Sequence, residues 1–151
     1  MSIEATLADK GITLPAAPAP AANYVPFVQT GNLVFVSGQI SQDDTGLIKG
    51  RLGDGMSVDE GAAAARRCGL SLIAQLKAAV GDLDRVRRVV KLTGFVNSTP
   101  DFTDQPKVIN GCSDLMVEVF GEAGRHARAA VSAPALPLGV AVEIEAIFEV
   151  A

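Results

Sequence analysis

The feature that most constrains this chain is a helix marked at both ends. Ser57-Val58-Asp59-Glu60 is a capping box: the Ser57 hydroxyl takes the N3 amide while Glu60 reaches back to the cap. The helix it opens is expected to run to about Val80, with Gly81 as the residue past its end. Ala62, Ala65, Gly69, Leu72, Leu76 and Ala79 recur at three- and four-residue steps, an apolar stripe of small side chains. Small residues let such a helix come close to a sheet or a second helix.

The flanking segments supply both partners. Tyr24–Gln29 and Leu33–Ser37 flank Thr30-Gly31-Asn32 and predict a hairpin, with Pro26 placing its first strand at an edge. Asp43-Asp44-Thr45-Gly46 marks a turn. Val86–Asn97, rich in β-branched and aromatic residues, reads as a strand. A second helix is expected from near Pro106 to Phe120, with Val108, Cys112, Leu115 and Val119 buried and Gly121 as its stop. Gly111 inside it is a weakness of about 1 kcal/mol against Ala. Strands are expected over Ala127–Val131 and Val140–Val150, separated by a loop holding Pro134 and Pro137. Two helices and five or six strands predict an α+β fold, with the helices on one face of a mixed sheet. The other face, also rich in Val, Ile and Phe, would stand bare and implies self-association.

Residues 1–23 read as an arm ahead of a body at 24–151. Ser2–Lys10 has Ile3 and Leu7 spaced for one helix face, with Gly11 as a stop. Pro15, Pro18 and Pro20 then forbid helix and favour an extended, polyproline-like run. A flexible leader and a strap across the body both fit that pattern.

Length and composition remove several function classes. At 151 residues and 48% apolar, the chain fits one domain and is not intrinsically disordered. A net charge of −4 opposes the basic surface that nucleic-acid binding needs. No apolar run approaches the roughly 18–20 residues that span a bilayer, and no signal peptide is visible, so a cytoplasmic protein is expected. With one His, neither Ser-His-Asp chemistry nor a His-rich metal site has much to work with. Cys68 and Cys112 lack metal-site spacing, fall in helical patterns and read as small core residues.

Few residues remain to carry chemistry. Arg128 stands in Ala127-Arg128-Ala129-Ala130-Val131, where a guanidinium is costly unless it meets a carboxylate of the protein or of a ligand. A structural salt bridge is the commoner of those outcomes. Glu143 and Glu145 alternate with Val142, Ile144 and Ala146, which sets both carboxylates on one sheet face. An exposed polar face is the plain reading; a carboxylate at a pocket mouth that positions water is the functional one. Ser37-Gly38-Gln39 ends a buried strand either as a bulge or as a place where a ligand nears the backbone. Tyr24 reads as packing, His126 as a lone surface histidine in preference to a ligand or proton carrier beside Arg128, and Arg85, Arg87, Arg88 and Lys91 as a solvated edge.

Taken together, Gly31–Ile40, Ala127-Arg128 and Val142–Ile147 resemble the RidA (YjgF-type) family of reactive-intermediate deaminases, members of which also carry the name L-PSP endoribonuclease. The resemblance covers Tyr24 to Val150. It implies a chorismate-mutase-like fold assembled as a homotrimer, with sites between subunits and no metal or organic cofactor. The implied activity is hydrolysis of 2-imino acids to 2-keto acids and ammonia. By the same resemblance, Arg128 clamps the substrate carboxylate and Glu143 holds the attacking water. Tyr24 and Ser37 supply pocket hydroxyls, the Gly38 N–H is a donor, and Ala130 takes the place of a pocket Cys. Ala22-Asn23 stands where archetypes have Gly-Pro, and the arm and the Ser41–Met56 loop also depart from them, which implies a longer, divergent subgroup. The alternatives are a trimer that binds a small metabolite without turnover and, less favoured by the acidic pI near 4.9, a ribonuclease.

Overall fold

A computed structural model describes residues 1–20 and 22–151. Helix α1 (Ile3–Asp9) leads to β1 (Phe27–Thr30) and β2 (Leu33–Ile40), then to a small hairpin of β3 (Gln42–Asp43) and β4 (Gly46–Leu47). Helix α2 (Val58–Val80), β5 (Val86–Asn97), α3 (Gln105–Phe120), β6 (Ala127–Ala133) and β7 (Val142–Val150) complete the chain. The five main strands form one mixed sheet in the order β1-β2-β7-β5-β6. Only β5 and β6, joined through α3, run parallel; the other neighbours are antiparallel. The expected α+β architecture is present, with two long helices on one face and three α-helices among the described residues.

Local chemistry sets the boundaries. Ser57 and Glu60 complete their capping box, and Gly81 ends α2 at φ +80°. The first strand begins at Phe27 rather than Tyr24, because Pro26 has no N–H for the ladder and offers only its carbonyl, to the Ser37 amide at 2.9 Å. The buried surface of α2 is wider than the predicted stripe: every residue from Cys68 to Leu76 is buried, whereas Ala62 and Ala79 are only partly covered. Sheet, α3 and the N-terminal arm enclose the helix from three sides.

That arm is a strap. Leu7 is buried, the Ile3 amide donates to Asp84 at 2.7 Å, and Lys77 pairs with Glu4 at 2.7 Å. Farther along, Gln75, only 1% exposed, donates from Nε2 to the Pro18 carbonyl at 2.6 Å. The reach of these contacts, from α1 to Pro18, fixes the proline run against α2.

Gly111 reverses its expected role. A Cβ there would lie 2.0 Å from the carbonyl oxygen of Ala62, so α2 and α3 cross at a distance only glycine permits. Gly69 does the same work opposite Leu115 and Cys112. Gly111→Ala is therefore expected to destabilise by about 3 kcal/mol, read as a lower denaturant midpoint, instead of gaining helix propensity. Both cysteines are fully buried at this crossing; burial pushes the Cys112 thiol up to about 12 and raises Cys68 well above the ordinary range, so both are inert core.

The sheet face away from the helices is uncovered in a single chain. Val28 (52%), Phe35 (40%) and Val131 (43%) are exposed there, beside Ile147 and Phe95.

Candidate functional site

The site begins with a bulge in β2. Val36 pairs with Ala146 and Gln39 with Ile144, so Ser37 and Gly38 together face the single residue Glu145. The Ser37 hydroxyl donates to Val25 O at 2.8 Å, which ties the segment after Tyr24 to the bulge. Gly38 leaves room for a carboxyl group, since a Cβ there would sit 2.6 Å from Glu143 Oε2. Glu143 is half-buried, and that burial, followed by the charge of Glu145, raises its pKa above the usual carboxylate value.

Around these groups lies a cleft of about 900 Å³. Tyr24, Ser37, Gly38, Glu143 and Glu145 line it, and Pro18 to Pro20 of the strap form one wall. Leu138, at φ +60° and 60% exposed, stands at its edge. Among the described residues, no Lys, Arg or His lines this cleft. It holds two carboxylates and lacks any cation to offset them.

Arg128 and Ala130 are elsewhere. Leu92, fully buried under the helices, is the partner of both Arg128 on β6 and Ala146 on β7. Phe95, on the opposite face, is the partner of Glu143 and Val131. Arg128 and Glu143 therefore project from opposite faces, two strands apart, roughly 10 Å across the sheet and 10 Å along it. They cannot hold one small molecule within one chain. Ala130 shares the Arg128 face and packs against the core.

What surrounds Arg128 corrects the salt-bridge expectation. Nη1 donates to Asn110 Oδ1 at 2.7 Å and to Ser113 Oγ at 3.1 Å, and Nη2 donates to Pro106 O at 3.2 Å. Among the described residues, no carboxylate pairs with it. Three neutral oxygens hold the guanidinium in place without neutralising it. Among the described residues the Nε–H meets no acceptor and Nη2 keeps one of its two N–H groups, so these donors remain for a carboxylate. His126 is not the isolated surface residue expected: Nδ1 bonds Gly124 O at 2.6 Å and Nε2 bonds Ser113 Oγ at 2.8 Å.

Sequence reasoning missed Asn110, Ser113 and Gln75. The first two form a polar pair at i and i+3 on an amphipathic helix that also carries Lys107, Asp114 and Glu118, so nothing in the pattern sets them apart. Of the basic cluster, Arg85 serves the fold, donating to Val80 O and Ala151 O, while Arg87, Arg88 and Lys91 are exposed. Among the described residues, no helix is long and apolar enough to cross a membrane.

Comparison with known proteins fits this fold. Residues 4–149 match the family model "YjgF/chorismate_mutase-like, putative endoribonuclease". Protein TCP17 of Trypanosoma cruzi is 54% identical over 149 residues, covering 97% of this chain and 93% of that protein. The crystal structure of Agrobacterium tumefaciens Atu1372, described as of unknown function, superposes with a TM-score of 0.91 at 48% identity, covering 99% of this chain and 92% of that one. A Shewanella oneidensis protein given an endoribonuclease designation superposes with a TM-score of 0.95 at 36% identity, covering 99% and 100%.

Proposed function

The chain belongs to the YjgF/chorismate-mutase-like family, and from that premise we propose that it is a cytoplasmic 2-imino acid deaminase, a homotrimer whose sites lie between subunits. One observation carries the reading: among the described residues, a cleft with carboxylates and no cation, and a guanidinium with donors to spare and no carboxylate, stand on opposite faces of one sheet. In a ring of copies, the Arg128 edge of one chain can complete the Glu143 cleft of the next. The exposed apolar residues of the uncovered sheet face, Val28, Phe35 and Val131, supply burial that favours such association.

The chemistry follows from the two halves. Arg128 binds the substrate carboxylate side-on and so sets the imine carbon over the cleft of the neighbouring copy. Glu143 accepts a proton from a water molecule as the water oxygen bonds to the imine carbon. A carbinolamine results, and the proton moves on to nitrogen. Glu143 then takes the carbinolamine hydroxyl proton and passes it to nitrogen as the C–N bond breaks and the C=O bond forms, so that one imine and one water give one keto acid and one ammonia. Burial of Glu143 suits this role, because a carboxylate with a raised pKa is the stronger base. The Ser37 hydroxyl, its proton committed to Val25 O, presents lone pairs to the cleft, and Tyr24 lines the same space. No cofactor is needed for an electrophile this reactive.

The test generates 2-imino acids in situ with an amino-acid oxidase and traps surviving imine with semicarbazide. The protein is expected to suppress the trapped product and raise the yield of free keto acid. Tight binding of keto acids with no change in trapped imine on any side chain would replace the deaminase with the binding-protein reading. RNA cleavage is disfavoured by the two cleft carboxylates and the net charge of −4.

A further inference from the structure

We propose that His126 and Ser113 form a positioning relay that sets the Arg128 guanidinium for carboxylate binding; this deepens the deaminase reading and rests on it. With a neutral imidazole, the direction of each hydrogen bond in the relay follows from its ends. Gly124 O can only accept, so the 2.6 Å contact puts a proton on His126 Nδ1. In the singly protonated ring, Nε2 is then a bare acceptor, and the Ser113 hydroxyl must donate to it across 2.8 Å. With its proton committed to the imidazole, Ser113 Oγ turns its lone pairs to Arg128 and accepts Nη1–H at 3.1 Å. The chain of donation runs from Arg128 to Ser113 to His126 to the backbone of Gly124.

The relay decides which donors Arg128 has left. Asn110 takes one Nη1–H and Ser113 the other. With Nη1 committed to both acceptors the end-on fork is blocked, and Nε–H with the remaining Nη2–H are the donors left to a carboxylate. A Ser113 hydroxyl without its imidazole partner would be free to rotate, present its own proton to the guanidinium and loosen that selection. Neither residue lines the cleft of its own chain, and the contact that joins the pair to the binding group runs from Arg128 Nη1 to Ser113 Oγ.

The test compares steady-state kinetics in the imine assay for Ser113→Ala, His126→Ala, their double variant, His126→Gln and Arg128→Ala. Ser113→Ala and His126→Ala are each expected to raise KM about tenfold with kcat nearly unchanged, since the relay serves binding of the carboxylate. The double variant should be no worse than Ser113→Ala, because His126 has no other route to Arg128. His126→Gln should recover most of the loss, its amide oxygen standing in for Nε2. Should His126→Ala fail to fold, Ser113→Ala and His126→Gln carry the test by themselves. Unchanged KM in Ser113→Ala, or additive losses in the double variant, would overturn the relay while an inactive Arg128→Ala left the parent reading standing. An active Arg128→Ala would overturn that reading and the relay with it.

Discussion

Arg128→Ala is expected to lower kcat/KM for 2-imino acids by about 10²–10⁴-fold, the value of two charge-assisted hydrogen bonds lost together. Little stability should go with it. The guanidinium is partly exposed, and its three acceptors, on Asn110, Ser113 and Pro106, are close enough to solvent to be rehydrated. Arg128→Lys should recover only part of the activity. An ammonium must serve the same three oxygens from a single point and cannot also present a side-on fork. Paired measurements of imine kinetics and melting temperature check both statements: an Ala variant that melts as wild type and turns over as wild type removes Arg128 from the site.

Glu143→Gln is the second large effect, with an expected loss of about 10²–10⁴-fold in kcat, the usual contribution of a positioned base. Here stability should rise. Burial and the charge of Glu145 hold the folded pKa of Glu143 above its unfolded value. Above the folded value the fold carries a carboxylate it disfavours, and that cost is relieved as pH falls through the folded value. Removing the charge removes the cost, so Glu143→Gln should melt above wild type on the alkaline side of the folded value, with the difference closing in acid. The same shift moves the acid limb of the rate profile to higher pH than an ordinary carboxylate would give. Glu145→Gln should move that limb back down, because the like charge is the second cause of the shift. An acid limb unmoved by Glu145→Gln would separate Glu143 from the titration seen in the rate.

Much of the fold was legible because local chemistry and packing agree. The α2 capping box, the full extent of β5 and the stop of α3 at Gly121 came out as expected, each set by a side chain or glycine within the segment itself. Gly111 was misread because helix propensity is a property of one helix, whereas the contact with Ala62 O belongs to two. The arm was left open for a similar reason: its fixed state depends on Gln75, 57 positions away. At the site, alternation correctly put Glu143 and Glu145 on one face. The same alternation rule applied to β6 could not place Arg128 relative to them, because the faces of two strands are matched only by the pairing register. Asn110 and Ser113 join the site only through the packing of α3 over Arg128, which no pattern within α3 itself announces.

The central claim is that one chain supplies Arg128 and another supplies Glu143 to each site. Subunit complementation tests it most directly. Arg128→Ala and Glu143→Gln proteins, each inactive alone, are unfolded together in equal amounts, refolded, and assayed for imine hydrolysis, with mixed oligomers verified by native mass spectrometry. Random assortment in a closed ring gives about a quarter of the interfaces an intact arginine from one copy and an intact glutamate from the next, and about a quarter of wild-type activity should return. Mixed oligomers that stay as inactive as the two parents would contradict the account.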